Sequence, residues 1–337
     1  MRHSAKTVSA FAVILVALAP LSALAEVYDL PPAGNDVVGA LTKVSARADD
    51  TLLDIARRHG LGYEDIVRAN PDVDTWLPGE GTEVVLPTQY VLPPGPRRGV
   101  VLNLAEYRLY YYPEPAEGEP AVVMTYPISI GRMDWETPLG RTSITQKVRN
   151  PSWYPPESIR AEHAAEGDPL PRIVPPGPDN PLGEYAMRLG IPGYLIHGTN
   201  RPAGVGMRVT HGCIRMFPED IDYLFGRVGV NTPVRIINEP VKVGWQGDRL
   251  FVEVHKTREV AEPDPSVEAS PEGGTPDEPP PPRDALTALT AQFVVATNER
   301  PGALDWDVAE LLLARADGMP AAAGRTIKDA ATSAASE

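Results

Sequence analysis

The only cysteine of this 337-residue chain lies close in sequence to two of its six histidines. Cys213 follows His211 by two positions and His197 by sixteen. A thiol becomes a good nucleophile at neutral pH when an imidazole accepts its proton or stabilises the thiolate. These three residues therefore predict the nucleophile and the candidate bases of a cysteine acyltransferase.

The residues beside the histidines and the cysteine are suited to positioning them. Gly198 and Gly212 each follow a histidine and allow close backbone approach. Free N–H groups next to Cys213 can form an oxyanion hole, for which Gly212 and Gly198 are the candidates. If the segment is extended, His211 and Cys213 face the same side of it. Thr210 is expected to position this turn by hydrogen bonding rather than to react.

Other interpretations of the same residues stay open. A lone cysteine can be a buried, inert thiol or can form an intermolecular disulfide. Two histidines and one cysteine can also bind a metal ion, but no spaced carboxylate or second thiol completes a tetrahedron. We therefore predict neither a metal nor a cofactor. A conventional secreted cysteine peptidase is disfavoured because both candidate bases precede the thiol.

The first 25 residues have the pattern of a secretory signal peptide. A basic start is followed by an apolar run over residues 8–21 and by the small residues Ala23-Leu24-Ala25. The apolar run is short for a membrane span, and Pro20 interrupts its end. The sequence predicts cleavage after Ala25 and no transmembrane segment in the mature chain; an uncleaved anchor is the alternative.

Composition and charge limit the possible partners. The chain is 42% hydrophobic and 23% charged, which is normal for a protein that buries a core. Its formal net charge of −14 repels phosphate backbones, so we expect no nucleic-acid partner and no docking on an anionic membrane surface. The 38 prolines require long loops or linkers. One of them is predicted over residues 257–283, where acidic residues and prolines concentrate.

The remaining chain divides into four predicted regions. Residues 41–88 predict a small β-α-α-β unit with helices over Leu52–Arg58 and Tyr63–Ala69. Residues 97–240 are rich in strands and carry the candidate site, and residues 241–256 predict a β-hairpin that completes the same sheet. Residues 284–319 predict a helical hairpin, and residues 320–337 predict a disordered tail.

Within residues 97–240, the stretch from Asn150 to Gly183 is long and proline-rich. A loop of that length is usually functional or disordered. Because it carries Trp153 and other apolar residues, we predict that it packs on the domain as a lid, with a short helix over Ser158 to Ala165.

The candidate site lies within three sequence motifs: Ile196-His197-Gly198-Thr199-Asn200, Thr210-His211-Gly212-Cys213-Ile214-Arg215 and the turn Thr137-Pro138-Leu139-Gly140. These motifs resemble the catalytic signature of the L,D-transpeptidases, the YkuD-type catalytic domain. The similarity covers about residues 97 to 240 and implies a mainly β, β-sandwich-like fold and a periplasmic location in Gram-negative bacteria.

Residues 41–88 contain three further motifs: Asp50-Thr51-Leu52-Leu53-Asp54-Ile55-Ala56, Ile66-Val67-Arg68-Ala69-Asn70-Pro71, and Leu77-Pro78-Gly79 with Val84-Val85-Leu86-Pro87. They resemble the LysM module, which implies binding to glycan strands. A spacer without a ligand is the alternative, because the first predicted strand, Lys43-Val44-Ser45-Ala46, lacks the usual aromatic-valine-lysine pattern.

The resemblance to L,D-transpeptidases implies a role for each candidate residue. Cys213 attacks the diaminopimelate carbonyl of a peptidoglycan tetrapeptide stem, and His197 is the general base, oriented through a backbone carbonyl near Gly198 or Thr199. His211 assists in placing or polarising the thiol. Arg215 either holds a stem carboxylate or forms a salt bridge to Glu219 or Asp220. Trp153 and Tyr194 line the donor cleft, or Tyr194 belongs to the core.

The acceptor stays open at this stage. A second stem peptide would give a 3-3 crosslink, and the lysine of an outer-membrane lipoprotein would attach that protein to peptidoglycan. Water would make the enzyme a thiol L,D-carboxypeptidase or hydrolase on the same substrate. The alternative from another class is a LysM-type peptidoglycan-binding protein whose second domain is inert, in which Cys213 would be unreactive.

Overall fold

The computed structural model describes residues 26–132, 135–256 and 284–327. The predicted signal peptide and acidic linker lie outside the described residues. The six helices within them are α1 (Leu52–Arg58), α2 (Tyr63–Ala69), α3 (Glu157–Ala165), α4 (Pro218–Phe225), α5 (Ala285–Thr297) and α6 (Trp306–Arg315). None of these helices has the length and apolar character needed to cross a membrane.

Seventeen strands make the described part of the chain mainly β, as predicted. They are β1 (Glu26–Asp29), β2 (Val37–Ser45), β3 (Glu83–Val91), β4 (Gly99–Asn103), β5 (Arg108–Tyr112), β6 (Val122–Pro127), β7 (Ile130–Gly131), β8 (Gly140–Arg149), β9 (Tyr185–Leu189), β10 (Leu195–His197), β11 (Arg208–Thr210), β12 (Ile214–Arg215), β13 (Pro233–Ile237), β14 (Val241–Gln246), β15 (Arg249–Val254), β16 (Gly302–Leu304) and β17 (Ala321–Thr326).

A nine-stranded sheet positions the candidate site. Its strand order is β1-β6-β5-β4-β13-β8-β9-β10-β12, so β12 forms one edge and pairs in parallel with β10. The apolar residues of these strands pack with α4 into the largest core cluster, in which Ile196, Ile214 and Met216 are buried. Because side chains alternate along a strand, burying one face leaves the other free to carry polar groups.

The β-α-α-β order of the unit before this sheet is present in the structure. Helices α1 and α2 have the predicted bounds, and a capping box between Thr51 and Asp54 starts α1. The sequence predicts strands over residues 43–46 and 83–86, but the antiparallel pairing of β2 and β3 continues over nine residues. The unit has its own apolar core, formed by Leu52, Ile55, Leu61, Ile66, Val84 and Leu86 among others. Its assignment as a LysM module stays a prediction.

The C-terminal region differs from a simple helical hairpin. Helices α5 and α6 alternate with β16 and β17, which join the hairpin β14-β15 in a separate four-stranded sheet. The prediction that this hairpin completes the nine-stranded sheet is therefore wrong. The prediction of a disordered tail is wrong for residues 321–326, which form β17. Its small side chains suggested fraying, but they let Ala323 become fully buried and Gly324 lie directly against strand β16.

The two ends of the predicted lid contact each other, and its helix α3 contacts the rest of the domain through Glu162, which pairs with Arg132 and His211. Trp153 and Val174 exchange two backbone hydrogen bonds of 2.9 Å. The buried Asn180 amide donates to the carbonyl oxygen of Pro151 at 2.8 Å. Helix α3 lies between these contacts and buries a single side chain, Ile159.

Candidate active site

The predicted nucleophile and one predicted base lie on the same face of the β10-β12 pair. Ile196 is in register with Ile214, and His197 with Arg215. Both isoleucines are buried in the core, so His197 and Arg215 project from the opposite face. Cys213 lies directly before β12 and two residues before Arg215, so strand alternation predicts the same face for both side chains. The charge of Arg215 lowers the pKa of both the Cys213 thiol and the His197 ring. The pairing thus brings a thiol, an imidazole and a guanidinium together.

His197 is held as a neutral base. It is 4% exposed, and its Nδ1 lies 2.6 Å from the carbonyl oxygen of Gly198. A carbonyl only accepts hydrogen bonds, so Nδ1 carries the proton and Nε2 keeps a lone pair. Burial, and then the charge of Arg215, lower the pKa of His197 to about 3. The contact expected between this ring and a backbone carbonyl near Gly198 is present, and the general-base role of His197 stays a prediction.

Cys213 rests as a protonated thiol. Burial raises the pKa of the Cys213 thiol, whereas the backbone N–H of Leu195 and the charge of Arg215 lower it. Its Sγ lies 3.6 Å from the carbonyl oxygen of Gly193. Because the net shift is upward, the thiol needs a base before it can attack. The side-chain hydroxyl of Thr210 donates to the Cys213 carbonyl at 2.6 Å, in the positioning role predicted for it.

The bend that carries the thiol requires a glycine at position 212. Gly212 has a φ of +95°, and a Cβ there would lie 2.8 Å from the Tyr194 ring. The Thr137 hydroxyl donates to the Gly212 carbonyl at 2.8 Å, which gives the Thr-Pro-Leu-Gly turn a structural reason. Within the described ranges, no carbonyl accepts from the N–H groups of Gly212 and Cys213, so both can donate to an oxyanion.

Gly198 has a different role from the one predicted for its amide. Its N–H donates to the carbonyl oxygen of Tyr185 at 3.1 Å and is therefore committed to the sheet. An oxyanion donor must be free to contact the substrate. The contribution of Gly198 to the site is its carbonyl, which orients His197.

His211 does not lie beside Cys213 in the way that an extended segment would place it. The bend at Gly212 breaks the strand alternation, and the His211 Nε2 contacts Glu162 of α3 at 3.1 Å. Its ring stacks edge-on against Trp135, with 5.2 Å between the centroids. Glu162 is also paired with Arg132. Sequence reasoning missed Trp135, Arg132 and the role of Glu162, because the partners are separated along the chain.

Arg215 has no acidic partner among the residues that the structure describes. The salt-bridge alternative is wrong, because Glu219 instead pairs with Arg57 through two bonds of 2.7 and 2.8 Å. The buried Nε of Arg215 makes no hydrogen bond there. Burial and the nearby Arg201 lower the pKa of Arg215, as expected for a cation without a counter-ion. Such a group is suited to binding an anion.

The two aromatic candidates have different surroundings. The Tyr194 ring lies against Gly212 and packs partly on the core, and its hydroxyl donates to the Glu136 carbonyl at 3.1 Å. It therefore belongs both to the core and to the wall beside Cys213. Trp153 lies in the lid, and its contact with substrate stays a prediction.

A buried group of Glu106, Glu253 and His255 has metal-ligand side chains. The Lys242 ammonium lies among them, 2.8 Å from a Glu253 carboxylate oxygen and hydrogen-bonded to Glu106. A protein cation thus already balances these carboxylates. The cluster includes none of the predicted site residues.

Comparison with known proteins identifies similar chains. Residues 97–236 match the model of the L,D-transpeptidase catalytic domain. The Escherichia coli K12 protein named Probable L,D-transpeptidase YcfS is 45% identical over 248 residues, which are 72% of this chain and 76% of that protein. Probable L,D-transpeptidase YbiS of the same strain is 40% identical, over 76% of this chain and 83% of that protein. Probable L,D-transpeptidase ErfK/SrfK of Salmonella typhimurium is 42% identical, over 74% of this chain and 81% of that protein.

Proposed function

Because the chain belongs to the L,D-transpeptidase family, we propose that it transfers peptidoglycan stem peptides through a thioester on Cys213. The observation that carries this proposal is the arrangement of Cys213, neutral His197 and Arg215 at the β10-β12 pair, where Arg215 has no acidic partner among the described residues. The donor is a tetrapeptide stem, and the leaving group is its terminal D-alanine.

In the first half-reaction, Cys213 Sγ attacks the carbonyl carbon of the diaminopimelate residue while its proton passes to His197 Nε2. The N–H groups of Gly212 and Cys213 stabilise the oxyanion. The C–N bond to D-alanine then breaks, and the imidazolium returns the proton to the departing amine. A thioester and a neutral imidazole result.

In the second half-reaction, an acceptor amine attacks the thioester and loses a proton to His197 Nε2. The C–S bond breaks, and the thiol is regenerated as it takes that proton. We propose an amine acceptor, from a second stem or from an outer-membrane lipoprotein lysine. Export to the periplasm and glycan binding by the β2-β3 unit belong to the same proposal.

The product mass tests this proposal directly. We expect the mature protein, incubated with disaccharide tetrapeptide, to release D-alanine and give a dimer joined by a 3-3 crosslink. A lysine-ending lipoprotein peptide is offered in a parallel reaction. Mass spectrometry of both reactions separates stem crosslinking from peptide attachment.

The other products contradict parts of the proposal. A tripeptide as the sole product would make water the acceptor and the protein a hydrolase. An unchanged tetrapeptide, with Cys213 reduced and the protein folded, would overturn the proposal in favour of a wall-binding protein. Heat-treated protein is the blank for both reactions.

We further propose that Arg215 binds a carboxylate of the donor stem. Replacing it (Arg215→Gln) is expected to lower kcat/KM for the tetrapeptide about 10- to 100-fold, because a charge-assisted hydrogen bond is lost. The exposed Arg188→Gln on neighbouring β9 is the matched control. The alkylation rate of Cys213 by neutral iodoacetamide corrects for any change in the thiol itself.

Donors with single carboxylates converted to amides complete the Arg215 test. If one amide donor lowers kcat/KM for the wild type but not for Arg215→Gln, the carboxylate it replaces is the one that Arg215 binds. If every amide donor lowers kcat/KM equally for both proteins, a role of Arg215 in carboxylate binding is contradicted.

A further inference from the structure

Helix α3 of the lid contacts the catalytic bend through one carboxylate. Glu162 is paired with Arg132 on one side and with His211 on the other. The helix buries only Ile159, so little apolar surface holds it in place. The polar contacts of Glu162 therefore contribute much of the attachment between the lid and the segment that carries Cys213.

The same contact selects one neutral form of His211. A carboxylate accepts hydrogen bonds, so the 3.1 Å contact requires the proton on His211 Nε2. Burial lowers the pKa of His211, so the ring carries a single proton at neutral pH. Its lone pair is then on Nδ1. His197 has the opposite tautomer, with its proton on Nδ1.

We propose that Glu162 is a positioning residue of the reaction, which fixes His211 as the Nε2–H tautomer only when the lid helix is docked. This proposal rests on the proposed function of Cys213 and on the implied role of His211, two residues before it, in placing or polarising the thiol. It makes formation of the competent site depend on the position of residues 157–165. Arg132 supports the arrangement, because its pairing holds the Glu162 carboxylate while the second oxygen contacts His211.

Substitution of Glu162 tests the proposal, with two readouts. Glu162→Ala is expected to slow acylation of Cys213 by a carbapenem about 10- to 100-fold, by analogy with the loss of a hydrogen-bonded partner of a metal-binding histidine. Nitrogen-15 NMR of the imidazoles is expected to show His211 change from the Nε2–H form to a mixture of tautomers. Glu162→Gln keeps an acceptor for the His211 Nε2–H group. It is therefore expected to retain part of the acylation rate and part of the Nε2–H tautomer.

Glu157→Gln is the matched control, because Glu157 lies exposed on the same helix. It is expected to leave the acylation rate and the His211 tautomer unchanged. The thermal midpoint of each variant shows whether a loss comes from unfolding. If Glu162→Ala does not fold, Glu162→Gln carries the comparison.

A double-mutant cycle with His211→Ala separates positioning from general support. If Glu162 acts through His211, adding Glu162→Ala to His211→Ala causes no further loss of rate. Additive losses with an unchanged tautomer would overturn the proposal. Absence of any adduct on the wild type would refute the proposed function instead, and the NMR result would still decide whether Glu162 fixes the tautomer.

Discussion

Cys213→Ala is expected to abolish covalent acylation by a carbapenem, whereas the wild type gains one adduct per chain. The reason is that the chain contains no other cysteine and that the Cys213 thiol lies on the same face as a neutral base. A strained lactam mimics the carbonyl that the thiol attacks. Intact-mass spectrometry measures the result as the presence or absence of a single added mass.

Titration of free thiol groups is the first control for this prediction, because the number of thiols per chain must fall from one to none in Cys213→Ala. The thermal midpoint is the second, and shows that the variant is folded. An adduct that survives in Cys213→Ala would place the nucleophile elsewhere. No adduct on the folded, reduced wild type would favour the wall-binding alternative.

Local signals in the sequence predicted much of the fold. Helices α1 and α2 have the predicted bounds, because the Thr51 cap and the Asn70-Pro71 stop act within one turn. Strand β17 was missed for the opposite reason. Its alanines and glycine have low strand propensity, and only pairing with β15 and β16 stabilises them as a strand.

The candidate site shows the same division between local and distant contacts. The resemblance to L,D-transpeptidases implied a base oriented by a carbonyl, and the structure has that contact between adjacent residues. The contact between His211 and Glu162 spans 49 positions and depends on how the lid folds back. Pattern reasoning predicted the reacting groups, but it could not predict the residues that contact them from another element.

His197→Ala is expected to slow acylation of Cys213 about 10²- to 10⁴-fold at neutral pH, the usual contribution of a general base. The Cys213 thiol has a raised pKa and does not ionise unaided at this pH. His59→Ala, in the β2-β3 unit, is the matched histidine control. Rates of adduct formation, followed by intact mass, measure the difference; equal rates would exclude His197 as the base.

The pH profile distinguishes loss of a base from loss of structure. Wild-type His197 stays unprotonated down to its pKa of about 3, so acylation should persist into mildly acidic solution. In His197→Ala the thiol must ionise alone, and the rate should rise about tenfold per pH unit until the pH reaches the thiol pKa.

Stability sets the acidic limit of that profile. The unfolded chain protonates His197 near its ordinary pKa of 6.5, but the folded chain does so only near 3. The unfolded state therefore binds more protons, and the folded state loses stability as the pH falls from about 6.5 to 3. Circular dichroism at each pH identifies the range in which the protein is folded. Within it, parallel profiles for wild type and His197→Ala would contradict proton transfer to His197.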